Sequence, residues 1–346
     1  MESGRQTGLG PVLSRIRVQV RKLLVEKLGL EAIPMFVYIL KRLLWLVPTI
    51  LTVLLILFSL SYLLPGEPAD IILGPRATPE MRAELNRRLG LDRPWYQSYF
   101  IYLQNVLRGD LGRSIFRDRP VFDVIMGVIP YTLILTLSGM TLAIFNGIII
   151  GLLAASYENS FIDKFLTLLS YITASTPTYI AGVILIVVFS IQLGWLPSIG
   201  AGEGGFLNTL HHLIAPALAL SVGWTGYIAR LTRSSMLETL EEDFIQTEKS
   251  FGIPRYYIIY RYALKRAIKP IIAVIGLGIG RLLGGAVFVE VIFNRPGLGR
   301  LIVDSVRERD LPLVRGGVLI AALLFILANL AADISYAYFD PRIKEE

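Results

Sequence analysis

The sequence predicts an all-α integral membrane protein with six transmembrane helices and a large extracytoplasmic loop bearing surface helices. Three observations lead there. The 346 residues are 54% hydrophobic and only 18% charged, where soluble domains carry about 25% charged residues. The deficit is concentrated in uncharged runs of about the 20 residues that a helix needs to cross hydrocarbon. In a six-span arrangement every lysine falls on one side, as expected of cytoplasmic loops.

The chain divides into an N-terminal extension, 1–37, and a membrane domain, 38–346. Within the extension Leu13, Ile16, Val20, Leu23 and Leu24 recur at helical spacing among basic residues. Such a helix either lies on the anionic inner leaflet or packs on a neighbour. The first span covers about 43–64, interrupted by Pro48. The outer loop, 65–123, holds nine arginines and eight acidic residues, so its charge nearly cancels. Thr78 and Pro79 open a short helix as cap and first helical residue. A second, from Pro94 to Leu107, carries Trp95, Tyr96, Tyr99, Phe100 and Tyr102, which suit a membrane interface.

The second span covers about 128–156 and the third about 166–193. Pro177 and Pro197 punctuate the third run, with one helix lying largely between them. The fourth covers 213–230, the fifth 271–293 and the sixth 314–336. Both termini then lie inside.

No P-loop, GxSxG or HExxH motif is present, and catalytic residues are not expected. The glycines from Gly276 to Gly285 sit in a span, where small residues let helices approach closely. Without cysteine, disulfides and thiolate metal sites are excluded. Adjacent His211 and His212 point about 100° apart on a helix and make a poor chelating pair. No basic face belongs to a soluble module, so nucleic acid is not expected as a partner.

Two features carry function. The loop 231–269 is long for a connection between spans. A helical stretch around Phe244 to Phe251 meets Gly252 and Pro254, which force a turn, and a basic helix follows. This is an elbow suited to docking on another protein. The second feature is charge inside the membrane. Arg281 lies near the middle of span five, facing a translocation path or a partner subunit in preference to a purely intrachain partner. Glu290 points to the opposite face of that span. Glu290 and Arg315 are expected at similar depth near the outer ends of spans five and six, as an ion pair joining the two helices.

Several ordered blocks resemble the permeases of dipeptide and oligopeptide ABC importers. They are "PGEPAD", "LGLDRPWYQSYFIYLQNVLRGDLGRS", "LGWLPSIG", "APALAL", "YIARLTRSSMLE", "GGAVFVEVIFNRPGLG", "RDLPLV" and "NLAADISYAYFDPRI". The resemblance runs from about Tyr38 to the C-terminus. It implies a type I-like permease working by alternating access. The implied partners are a second homologous permease subunit, two ATPase subunits at the cytoplasmic face, an extracytoplasmic substrate-binding protein and the lipid bilayer. ATP and Mg would sit on the ATPase subunits, with no cofactor on this chain.

The elbow is similar to the EAA loop, whose short coupling helix enters a groove of the ATPase. On that likeness the coupling residues are Phe244, Thr247, Glu248, Ser250, Phe251, Gly252, Ile268 and Pro270. Glu248, Ser250 and Phe251 depart from the small and basic residues usual there. The resemblance implies a peptide substrate. The same architecture also passes oligosaccharides, nickel chelates and glutathione. A passive channel is the rival class, and it would have no docking elbow.

Overall fold

The computed structural model describes Leu44 and residues 46–59, 78–81 and 94–339. The expected helix of the N-terminal extension and most of the surface helix after Thr78 lie outside the described residues. Thr78 does act as a cap, its Oγ1 accepting a hydrogen bond from Met81 N at 3.3 Å.

The described chain is helical, in this order: α1 (Leu46–Ser59), α2 (Trp95–Leu107), α3 (Val121–Ser156), α4 (Phe161–Ser175) and α5 (Thr178–Gln192). After these come α6 (Phe206–Glu241), α7 (Asp243–Ser250), α8 (Arg255–Tyr257), α9 (Leu264–Ile292), α10 (Leu298–Glu308) and α11 (Leu311–Phe339). The last turns of α5 and the link from α8 to α9 are π-helical. Among the described residues α3, α6 and α11 are each long and apolar enough to cross a membrane. The pair α4–α5 adds one more if it is a single span, and the stretch Arg255–Ile292, bent by 50° within α9 between Gly276 and Gly278, adds another; α1 is a shorter apolar helix.

Helix ends differ from the expected span ends for local reasons. α3 begins at Val121, inside the expected outer loop. Pro120 holds its N-cap position and Asp123 lies in the first turn, where the helix dipole favours an acid. Val121 and Ile125 are buried against Leu298, Leu301 and Leu313, which keeps this turn helical beyond the apolar run. The expected third span is two helices meeting at 105°. The helix between Pro177 and Pro197 is α5, but α4 precedes it. Pro177 disfavours helical geometry at Thr176, which is extended at ψ 118°. α6 runs well past both ends of the expected fourth span, and α9 starts before the fifth.

In lipid, helices associate through close packing more than through apolar burial. α3 and α6 show this most fully. A Cβ on Gly147 would lie 2.7 Å from Ile228, and one on Gly151 would strike Ala229 and Thr232. In α9, a Cβ on Gly276, Gly278 or Gly280 would press on Ala332, Met140 or Asn329, so these three are contact glycines. The central core gathers Leu135, Leu220, Leu282, Val289 and Phe293. Several hydroxyls within the helices satisfy themselves locally. The hydroxyls of Thr136, Thr141, Ser170 and Thr173 each donate to the carbonyl four residues back, at 2.7–2.9 Å.

Candidate functional site

Three polar assemblies stand out, two at one end of the bundle and one at the other. The first is centred on Glu290, which is fully buried near the end of α9. Gly297, at the N-cap of α10, offers no capping side chain, so the first N–H groups of α10 need other acceptors. Glu290 and Thr132 supply them. Gly299 N and Arg300 N donate to Glu290 Oε2 at 2.8 and 3.1 Å. Leu298 N donates to Thr132 Oγ1 at 2.8 Å, and Thr132 Oγ1 donates to Glu290 Oε1 at 2.6 Å. The carboxylate also meets the positive end of the α10 dipole. Gly297 is required by close approach, because a Cβ there would overlap the Glu290 carboxyl. Arg295, only 1% exposed, places a guanidinium within electrostatic reach of that carboxylate.

The expected ion pair between Glu290 and Arg315 is not formed. Glu290 is taken up by α3 and α10. Arg315 instead lies over the rings of Phe58 and Tyr102, 5.5 and 5.7 Å from their centroids. Equal depth on neighbouring helices did not bring the side chains together, because they leave their helices toward different neighbours. Burial raises the pKa of the Tyr102 hydroxyl, with Arg315 pulling the other way.

The second assembly is centred on Asp310, also fully buried. It caps α11, Leu313 N donating to its Oδ1 at 3.3 Å. Its Oδ2 receives the Ser114 hydroxyl and, at 3.1 Å, Ile115 N. A loop ahead of α3 is thereby fastened to the start of α11. "RDLPLV" and "RGDLGRS", far apart in sequence, meet at this point. Arg309 makes the turn in left-handed geometry at φ 61°.

The third assembly is the elbow. α7 spans Asp243–Ser250 and Phe251 caps it. Gly252 then turns the chain at φ +75°, a region that side-chain-bearing residues resist. Pro254 starts α8. Ile245, Ile258, Ile259 and Ala263 are buried against Leu152, Ala155 and Met236 of α3 and α6, so the elbow is packed onto the bundle. Arg266 donates to Glu242 at 2.6 Å and lies 4.0 Å over the Phe244 ring. Beside the elbow, Arg233 forks onto Asp163 at 2.6 and 2.8 Å, joining α4 to α6.

Of the expected coupling residues, Phe244 is half-buried under Arg266, and Thr247, Ser250, Phe251 and Gly252 are exposed, with Glu248 partly so. Phe251 is 79% exposed at the tip. Ile268 packs near Ala143, Ile228 and Ile271 at the base of α9, and Pro270 lies exposed in the same helix. A groove of about 500 Å³ runs along the elbow, bordered by Leu237, Gln246, Lys249, Ile253 and Arg255. Arg281 is exposed on α9, opposite the face that buries Glu290.

Sequence reasoning missed Thr132, Ser114, Asp310 and the Asp163–Arg233 pair. Two of these carried a local signal. Asp310 precedes Leu-Pro as a capping acid would. Ser160 and Asp163 stand at the spacing of a capping box, and Ser160 Oγ accepts from Asp163 N at 3.2 Å. Thr132 and Ser114 carry none, since their partners come from distant helices. His211 and His212 turn to separate carbonyls, those of Trp195 and Asn208.

Helices fit for lipid, bent pairs among them and a packed elbow projecting at one end define a polytopic membrane protein. A solved structure titled as an inward-facing conformation of the MetNI methionine ABC transporter shares the fold of this chain. Its TM-score is 0.53 and its identity 18%, over 63% of this chain and 96% of that one. Residues 147–345 match the family described as binding-protein-dependent transport system inner membrane component, and residues 35–136 match its N-terminal counterpart. The chain belongs to this family, the permease components of ABC importers, whose ATPase activity lies in separate subunits. It is similar to the glutathione transport system permease protein GsiC of Escherichia coli (strain K12), 38% identical over 307 residues. The namesake in Salmonella typhimurium (strain LT2) is 40% identical over the same length. Each match covers 89% of this chain and 98% of the relative.

Proposed function

We propose that this permease passes small peptides inward by alternating access, and that the elbow Phe244–Phe251 with Gly252 is its contact with the ATPase. The single observation that carries the coupling reading is the geometry of the tip. Phe251 projects 79% exposed beside a glycine at φ +75°, on an elbow whose other side is buried in the bundle. A large apolar ring held out on a rigid arm is the anchor expected of a docking interface. ATP and Mg then belong to the ATPase subunits, and the elbow end of the bundle faces the cytoplasm, as do both termini. A second permease subunit, two ATPases and an extracytoplasmic binding protein complete the assembly in this reading.

The substrate reading is supported by relatives named for glutathione, itself a tripeptide, which match nearly their whole length. Reconstitution with the ATPases and the cognate binding protein tests both parts. ATP-dependent uptake of labelled di- and tripeptides is expected, with little uptake of neutral oligosaccharides. Uptake of oligosaccharide but not peptide would overturn the substrate reading. Uptake without added ATPase would favour a passive channel.

A further inference from the structure

We propose that Arg281 is a carboxylate-binding station on the cargo's route through this chain, an inference that rests on the peptide permeation reading above. On α9, Arg281, Gly284 and Phe288 follow at the spacing of one helix face, and all three are exposed. The other face buries Leu282, Ala286, Val289 and Glu290. Beside the stripe, Tyr179 of α5 is also exposed, its ring centroid 6.2 Å from that of Phe288. A cation and two aromatic rings thus share one open face.

Gly284 marks the open space. A Cβ there would meet nothing within 4 Å, unlike those on Gly276, Gly278 and Gly280, which would strike neighbouring helices. Arg281 lies ~16 Å from the helix end at Ile292, at ~1.5 Å rise per residue, which is about half the hydrocarbon thickness. Among the described residues no side chain hydrogen-bonds or ion-pairs with it. A guanidinium at that depth is strongly disfavoured against lipid and belongs on a watered or protein-lined surface.

A carboxylate is the occupant that fits this chemistry. The guanidinium fork matches a carboxylate bidentately. Each unmodified peptide carries one at its C-terminus, and the Tyr179–Phe288 pair offers the adjoining apolar residue a surface. Passage requires that the contact stay modest, since a station that holds its cargo too tightly cannot release it.

The test compares alanyl-alanyl-alanine with its C-terminal amide in the reconstituted complex, using wild type, Arg281→Lys and Arg281→Gln. Binding of both probes to the solubilised complex is also measured by titration calorimetry. All three forms are expected to co-purify with their partners. Arg281→Gln is expected to bind and transport the acid roughly tenfold less well or worse, the range for losing a hydrogen bond to a charged group. Its handling of the amide should match wild type, and Arg281→Lys should fall between. Equal losses for acid and amide would overturn the station, as would wild-type binding that ignores the carboxylate. Failure of both variants to assemble would assign Arg281 to the subunit interface instead. If wild type transports no peptide yet still binds the acid through Arg281, the substrate reading fails and the station stands.

Discussion

The Thr132 hydroxyl lies 2.6 Å from Glu290 Oε1, so the buried acid of α9 is held by α3 and not by the arginine of α11. One threonine thereby joins three helices, because it also accepts Leu298 N from the first turn of α10.

Thr132→Val keeps the side-chain shape and removes both bonds. It leaves a buried carboxylate oxygen and a buried N–H without partners, which costs about 2–3 kcal/mol. Thermal unfolding of the purified complex should show the loss, and an unchanged midpoint would mean the knot is not formed. Glu290→Gln combined with Arg315→Gln should give losses that add within ~0.5 kcal/mol, the behaviour of residues that share no contact. A larger coupling energy would restore the ion pair read from the charge pattern.

Asp310→Ala should loosen the loop carrying Arg113 and Arg117. Asp310 holds Ser114 and Ile115 while capping α11, and neither bond has a substitute. Trypsin should cleave after these arginines several-fold faster in the variant than in wild type. Equal rates would show that the loop is secured by other contacts. Asp310→Asn keeps a capping oxygen and should lie between the two.

Arg233→Gln should destabilise the α4–α6 contact by about 2–3 kcal/mol. The Asp163 side chain is only 4% exposed, and the fork supplies two charged hydrogen bonds to it. The double variant Asp163→Asn with Arg233→Gln should recover part of that loss, because no buried charge is left alone. A double variant as unstable as the sum of the two singles would count against the pairing.

Gly252→Val adds no clash, since a Cβ there meets nothing within 4 Å. It does oppose the left-handed turn, by about 1–2 kcal/mol. The protein should still insert and assemble, while uptake and cargo-stimulated ATP hydrolysis fall together. Gly252→Asn should retain most activity, because asparagine tolerates this geometry. Phe251→Ala removes an exposed ring and should leave stability unchanged while lowering ATPase affinity. Normal uptake per assembled complex in both Gly252→Val and Phe251→Ala would remove the elbow from coupling.

The sequence by itself determined the class of the molecule and the outline of its elbow, because both rest on local physics. Apolar runs report lipid solvation residue by residue, and the turn at Gly252 and Pro254 is written in the backbone preferences of those two residues. The amphipathic position of Arg281 opposite Glu290 also followed from helical periodicity alone. Tertiary structure decided the partners. Glu290 found Thr132 and the α10 N-terminus, Asp310 found Ser114, and Arg233 found Asp163 across long stretches of chain. Helix rotation and tilt select such contacts, and they are set by where small residues such as Gly147 and Gly151 let helices close in. Pro177 divided the third apolar run into α4 and α5, and packing set the 105° between them. Composition could show that the run was apolar, but only its neighbours determined the direction in which it bends.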